Sequence, residues 1–231
     1  MIPVAAMAKL TLLDYPGKTA AILFLPGCDM RCPFCHNSDL AAGGGPRTDI
    51  KEVYAFLEKR RGLLDGVVVT GGEPSLWDIM PLLRDIRDMG YLVKVDTNGL
   101  RPEEIEKWLA ADSVDYIAMD IKNSPAKYAA TAGLPSVDMN LIKKSVGLIM
   151  NSGKEYEFRT TVVRPLHETE DFRIIGEELI SGAEQYFLQP FVSRDEVPDR
   201  NLTEPDDEFL KKCLEISAPF VKKIEIRGKN F

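Results

Sequence analysis

Short apolar runs alternate along the chain with stretches in which apolar residues recur every three or four positions. The continuous runs, typical of buried strands, occupy residues 19–25, 66–70, 91–96, 115–121, 155–163 and 184–190. The intervening pattern predicts helices near residues 49–61, 78–90, 102–110, 138–151 and 169–181. Buried strands that alternate with helices predict a parallel sheet with the helices outside it. The six repeats therefore predict an α/β fold, a partial (β/α)6 TIM-like barrel.

One domain is expected over residues 1–231, because 231 residues that are 45% hydrophobic can bury a full core and no linker interrupts the alternation. The core would span about residues 19–190. A short extension precedes it, and a helix and a closing strand over about residues 191–231 follow it.

The charge balance narrows the classes of partner. The net charge is −7 and the pI is about 5.1, so nucleic-acid binding is not expected, because that requires a basic face. The first residues lack the pattern of a signal peptide, and no run approaches the roughly 20 apolar residues of a membrane span. We expect a cytoplasmic protein that does not bind membranes.

Polar residues cluster where the predicted strands end. In barrels of this kind, functional groups gather at the carboxyl ends of the strands, so one active site is expected there. The sequences at these ends are the cysteine loop after the first strand, "GGEP" (71–74), "DTNG" (96–99), "MDIK" (119–122), Arg159 with Thr160 and Thr161, and "LQP" (188–190).

Three of the four cysteines, Cys28, Cys32 and Cys35, lie within eight positions. With His36 they could nominally form a zinc site. However, His36 directly follows Cys35, and the spacing departs from that of paired zinc-finger cysteines. Thiolates also hold iron–sulfur clusters. Three thiolates on a cubane cluster leave one iron without a protein ligand, and a catalytic cluster needs such an iron.

The spacing Cys-x3-Cys-x-Phe-Cys, followed by Gly-Gly-Glu-Pro after the next strand, resembles the radical S-adenosylmethionine (SAM) superfamily. Within it, the chain resembles the activating enzymes of glycyl-radical enzymes, most of all those that serve anaerobic ribonucleoside-triphosphate reductase. The resemblance covers roughly residues 10–190. It rests on "LDYPGKTAAILFLPGCDMRCPFCHN", "VVVTGGEPSL", "VKVDTNG" and "VDYIAMDIK".

The resemblance implies a [4Fe–4S] cluster on Cys28, Cys32 and Cys35, with SAM on the open iron and no catalytic side chain. The reduced cluster would cleave SAM to methionine and a 5′-deoxyadenosyl radical while the protein positions both. A tight turn is the alternative role for Gly71 and Gly72, and a place in the core is the alternative role for Phe34. The implied SAM-binding residues are Phe34, Gly71, Gly72, Glu73, Thr97, Asn98, Asp120, Lys122 and Arg159.

Asp96 and Asp120 end apolar strands, where an unpaired carboxylate would be unfavourable. Lys122, two positions beyond Asp120, is a candidate ion-pair partner. The resemblance implies instead a monovalent cation beside the SAM carboxylate, held by Asp96, Thr97, the Ala118 carbonyl and Asp120. Oxygen ligands suit such a hard cation. Both interpretations stay open, because structural ion pairs can resemble functional sites.

Three further positions bear on the site. Some activating enzymes have a histidine after the last barrel strand, but this chain has "LQPFVSR", which leaves Gln189 and Phe191 as candidates for adenine contacts. His167, in a polar loop, is expected at the surface. Cys213 is expected to pack inside a helix rather than bind metal.

Three functional hypotheses follow. The first is an activase that takes hydrogen from a backbone glycine of a glycyl-radical enzyme, with a flavodoxin or ferredoxin-type electron donor. The second is a radical SAM enzyme for a small molecule or peptide. The third is a non-catalytic iron–sulfur electron carrier or zinc module. Only about forty residues follow "LQP", too few for a large substrate-enclosing domain, which favours a macromolecular substrate.

Overall fold

The computed structural model describes residues 2–229, in which eight strands and eight α-helices follow one another along the chain. The strands are β1 (Ala6–Thr11), β2 (Ala20–Leu25), β3 (Gly66–Gly71), β4 (Leu92–Thr97), β5 (Tyr116–Asp120), β6 (Glu155–Val162), β7 (Tyr186–Pro190) and β8 (Ile224–Ile226). The helices are α1 (Ser38–Ala41), α2 (Ile50–Arg60), α3 (Met80–Asp88), α4 (Pro102–Ala110), α5 (Tyr128–Ala132), α6 (Met139–Met150), α7 (Thr169–Glu178) and α8 (Asp207–Ser217). Two 3-10 helices cover Pro74–Leu76 and Ala218–Phe220.

The six predicted strands are confirmed as β2 to β7, and the five predicted helices as α2, α3, α4, α6 and α7. The predicted C-terminal extension forms α8 and β8. Among the strands and α-helices of residues 2–229, three were not predicted. Helices α1 and α5 have four and five residues, too few for a helical period to show. Strand β1, "AMAKLT", lacks a continuous apolar run and pairs antiparallel with β2.

The helix ends follow local chemistry. The Asp49 side chain caps α2 by accepting from the Lys51 N–H over 2.9 Å. Pro81 lies in the first turn of α3, whose N-cap residue is Ile79, and no side chain caps the start of this helix. Of the helices formed within residues 2–229, none has the length and apolar character needed to cross a membrane.

The chain forms two compact units. The first comprises residues 2–29, 39–97 and 103–117. In it β2, β3 and β4 pair in parallel, with Leu23 opposite Val69 and Val69 opposite Val95. These three side chains are fully buried, so the continuous apolar runs form the core of this unit.

The second unit comprises residues 30–38, 98–102 and 118–229. Here β6, β7 and β8 pair in parallel, with Phe158 opposite Tyr186 and Tyr186 opposite Ile224. Strand β5 begins in the first unit and ends in the second. Parallel pairing and strand–helix alternation within each unit confirm the α/β class. The single-domain prediction over residues 1–231 stays a prediction.

Candidate active site

Cys28 belongs to the first unit and follows β2 after the Pro26-Gly27 turn. The Gly27 N–H donates to the Leu40 carbonyl over 2.8 Å, and the Cys28 N–H donates to the Ala41 carbonyl over 3.0 Å. Both acceptors belong to α1. The half-buried Cys28 is therefore held by its backbone on a short helix that the sequence did not predict.

The turn that contains Gly71 and Gly72 is hydrogen-bonded to the backbone that precedes Cys28. The Gly72 N–H donates to the Leu25 carbonyl over 2.8 Å, and the Glu73 N–H donates to the Gly27 carbonyl over 2.7 Å. A Cβ on Gly72 would lie 1.8 Å from the Gly27 carbonyl oxygen, and Gly71 has φ +119°. Close backbone approach thus explains both glycines. Their contact with SAM stays a prediction.

The Glu73 carboxylate links the ends of β3 and β4. It is buried, and its Oε1 accepts from the Ser75 N–H over 3.0 Å and from the Thr97 hydroxyl over 2.8 Å. The structure therefore places two of the predicted SAM-binding residues, Glu73 and Thr97, in direct contact within the first unit.

Asp96, at the end of β4, is paired with a lysine that the sequence analysis missed. The Lys94 side chain is 1% exposed and its ammonium donates to Asp96 Oδ1, while Asp96 Oδ2 accepts from the Thr70 hydroxyl over 3.1 Å. The same ammonium lies 5.7 Å from the centre of the Tyr116 ring. The two-residue spacing puts Lys94 and Asp96 on one face of β4, and that spacing within an apolar strand was the available signal.

The second unit holds Cys32, Phe34 and Cys35. The Cys35 N–H donates to the Cys32 carbonyl over 3.1 Å, which closes a turn around Phe34. Cys32 and Phe34 are buried and Cys35 is half-buried. Burial raises the pKa of the Cys32 thiol, and the charge of Lys122 opposes that shift.

His36 makes contacts of its own within the second unit. Its Nε2 lies 2.8 Å from the Val192 carbonyl oxygen, and its ring stacks on that of Phe191 at 5.7 Å between centroids. The observed contacts of His36 do not favour its role as a fourth zinc ligand.

Asp120 lies between two cationic groups of the second unit. Arg159 Nε donates to Asp120 Oδ1 over 2.8 Å, and Lys122 Nζ donates to Oδ2 over 3.0 Å. Burial opposes ionisation of Asp120, but the charges of Arg159 and Lys122 outweigh it and hold its pKa well below the usual range. The ion pair proposed from the residues alone, Lys122 with Asp120, is confirmed.

His167 is not at the surface, so that prediction is wrong. Its side chain is fully buried, Nε2 lies 2.9 Å from the Lys122 carbonyl oxygen, and Nδ1 lies 3.2 Å from both the N and the O of Val163. Burial lowers its pKa, although the bonds to backbone oppose the shift. Its sequence context gives no signal, because the backbone partner Lys122 is 45 residues away.

Two further predicted residues have structural contacts. Asn98 is buried in the second unit, and its Oδ1 accepts from the Leu100 N–H over 2.9 Å. Cys213 is buried within α8, as predicted, and burial raises its pKa to about 12. A thiol with that pKa stays protonated near neutral pH.

The predicted site residues thus divide between the two units. The first unit holds Cys28, Gly71, Gly72, Glu73, Asp96 and Thr97 at the ends of β2, β3 and β4. The second unit holds Cys32, Phe34, Cys35, Asn98, Ala118, Asp120, Lys122 and Arg159.

Residues 22–173 match the model of the radical SAM superfamily, which is more than half of the chain. This chain belongs to the radical SAM superfamily. Members of this superfamily use a [4Fe–4S] cluster and SAM, and the three closely spaced cysteines fit that cluster. The chain is therefore a radical SAM enzyme, and a non-catalytic electron carrier or zinc module is not supported.

Similar proteins include two activating enzymes. The chain is 29% identical to a protein of Methanocaldococcus jannaschii that is provisionally named a glycyl-radical enzyme activating enzyme, over 98% of this chain and 96% of that protein. It is 27% identical to the pyruvate formate-lyase-activating enzyme of Streptococcus mutans, over 84% of this chain and 78% of that enzyme.

A solved structure supports the fold. The radical SAM chain resembles QueE from Escherichia coli with a TM-score of 0.56 and 15% sequence identity, over 98% of this chain and 93% of that one. This likeness, with the α/β pairing seen in each unit, confirms the partial TIM-like barrel as the fold class.

Proposed function

We propose that this radical SAM enzyme activates a glycyl-radical enzyme by taking a hydrogen atom from one of its backbone glycines. The observation that carries the proposal is the match to the Methanocaldococcus jannaschii protein over 98% of this chain and 96% of that one. The similarity to a pyruvate formate-lyase-activating enzyme adds support. The motif resemblance favours anaerobic ribonucleotide reductase as the partner.

Cys28, Cys32 and Cys35 would hold the cluster. Thiolate sulfur is the donor that such clusters require, and Lys122 supplies a positive charge that favours the thiolate of Cys32. When bound, the reduced cluster and SAM supply a 5′-deoxyadenosyl radical and methionine. We assign the supply of electrons to a flavodoxin or ferredoxin-type donor in a reducing cytoplasm.

The charged residues beside Asp120 would orient SAM. Lys122 and Arg159 place two cationic groups on one carboxylate at the end of β5, and we assign them the methionyl carboxylate of SAM as a further partner. Glu73, with Gly71 and Gly72 in the adjoining turn, would receive the methionyl ammonium. Burial lowers the pKa of Lys122, but the charge and hydrogen bond of Asp120, together with the charge of Cys32, outweigh burial and raise it. Lys122 therefore stays charged.

Phe34, Thr97 and Asn98 complete the proposed SAM site. All three are buried in the described structure. A monovalent cation on Asp96, Thr97, Ala118 and Asp120 would compete with the Lys94 ammonium for Asp96, and with Lys122 and Arg159 for Asp120. These ion pairs support charge balance by protein side chains rather than by a metal cation.

The second candidate is a radical SAM enzyme for a small molecule or peptide. The likeness to QueE covers nearly all of both chains, so chain length alone does not choose between the candidates.

The deciding experiment mixes the anaerobically reconstituted protein with SAM, a reductant and an anaerobic ribonucleotide reductase. We expect an organic radical signal on the reductase by electron paramagnetic resonance, and its loss when the target glycine is replaced by Ala. SAM cleavage without any such signal would favour the second candidate.

A further inference from the structure

Arg227 follows β8 in the C-terminal extension and binds a buried carboxylate. Its Nη2 lies 2.6 Å from both carboxylate oxygens of Glu157, whose side chain is 0% exposed. The Arg227 guanidinium also lies over the Phe187 ring, 4.5 Å from its centre. Two hydrogen bonds and an aromatic face fix the orientation of this guanidinium.

Glu157 links Arg227 to Arg159, a residue of the proposed SAM site. It precedes Arg159 by two residues on β6, so both side chains leave the same face of the strand. Arg159 Nη1 lies 3.8 Å from Glu157 Oε1, and Arg159 Nε donates to Asp120 over 2.8 Å. The second unit therefore contains a row of alternating charges: Arg227, Glu157, Arg159, Asp120 and Lys122.

We infer that Arg227 is a positioning residue of the SAM site, acting through Glu157 on Arg159. This inference rests on the proposed function, in which Arg159 helps to bind SAM. The C-terminal extension would then be part of the SAM-binding apparatus, through a residue that contacts neither SAM nor the cluster.

The physical reason is competition for one guanidinium. A buried carboxylate requires cationic or hydrogen-bonding partners, and removing one of them leaves its charge less compensated. Without Arg227, Glu157 would draw the Arg159 guanidinium from its present 3.8 Å to hydrogen-bond distance. Because the guanidinium is a rigid planar fork, that movement would turn its Nε away from Asp120.

The test uses the reconstituted holoprotein and measures SAM affinity by calorimetry, together with the change in the spectrum of the reduced cluster on SAM addition. R227Q should weaken SAM binding about tenfold, the scale of coupling between neighbouring charged residues, with iron content unchanged. R227K should recover part of the loss. The double variant E157Q/R227Q should bind SAM almost as well as the parent, because the charge of Glu157 then no longer competes with Asp120 for Arg159.

K223Q is the matched control, since Lys223 precedes β8 and its ion pair with Glu225 is exposed. It should leave SAM affinity unchanged. If R227Q loads too little iron to measure, R227K replaces it and should bind SAM more weakly than the parent, and equal SAM affinity of R227K and the parent would then overturn the inference.

Equal SAM affinity of R227Q and the parent would overturn the inference, and so would an E157Q/R227Q variant as weak as R227Q. A tenfold loss in E157Q alone would also overturn it. A parent protein that takes up its cluster but binds no SAM would instead overturn the proposed function.

Discussion

Arg159 donates its Nε–H to the Asp120 carboxylate over 2.8 Å, which joins β6 to the end of β5 within one unit. Lys122 binds the other oxygen of the same carboxylate. D120N should therefore weaken SAM binding about 10- to 100-fold, because both cationic groups lose the Asp120 carboxylate and reorient. The cluster should remain, since its thiolates are untouched. Calorimetric SAM titration with iron analysis measures both.

The control for D120N is E170Q, which removes the carboxylate of an exposed ion pair with Arg173. Exposed pairs contribute little, so E170Q should bind SAM like the parent. Unchanged SAM affinity in D120N would show that the ion pairs of Asp120 are only structural.

His167 should make stability depend on pH. Burial lowers its pKa in the folded protein, whereas the unfolded chain takes up the proton near pH 6.5. The unfolded state therefore binds more protons below about pH 6.5, and the free energy of unfolding falls as the pH falls through that range. In H167Q that component should vanish. Urea unfolding at a series of pH values measures it, and equal pH slopes in parent and variant would contradict it.

Cys28, Cys32 and Cys35 should each be required for iron. The parent should bind about four irons and four sulfides per chain, and replacing any of the three by Ala should abolish SAM cleavage. C213A is the matched control, because Cys213 is buried with its pKa raised to about 12. One zinc per chain with no iron uptake would overturn the cluster assignment.

SAM binding should not depend on potassium or sodium, because the Lys94 ammonium supplies a positive charge beside Asp96. This ammonium already pairs with Asp96, so exchanging potassium or sodium for choline at constant ionic strength should leave the parent's SAM affinity unchanged. K94M should instead gain a dependence on these ions, because Asp96 then loses the positive charge of Lys94. A parent that needs potassium or sodium would support the metal cation on Asp96, Thr97, Ala118 and Asp120.

The strands and the cysteine motif could be predicted because their signals are local. Each buried strand is one continuous apolar run, and Cys28, Cys32 and Cys35 lie within eight positions. Strand β1 was missed because its pairing with β2, rather than an apolar run of its own, defines it.

The charge partners were mostly missed because they are distant in the chain. Arg227 is 70 residues from Glu157, and His167 is 45 residues from Lys122. No local pattern shows which strands bring such residues together. Lys122 was identified because it lies two residues from Asp120, and Lys94 has the same spacing from Asp96.

Hydrogen transfer from the partner's glycine tests the central claim most directly. The partner is prepared with deuterium at the glycine Cα and incubated anaerobically with the reconstituted protein, SAM and reductant, and 5′-deoxyadenosine is analysed by mass spectrometry. We predict one deuterium in 5′-deoxyadenosine, absent when the target glycine is replaced by Ala. Deuterium that comes instead from a free labelled metabolite, without any partner protein, would contradict the account.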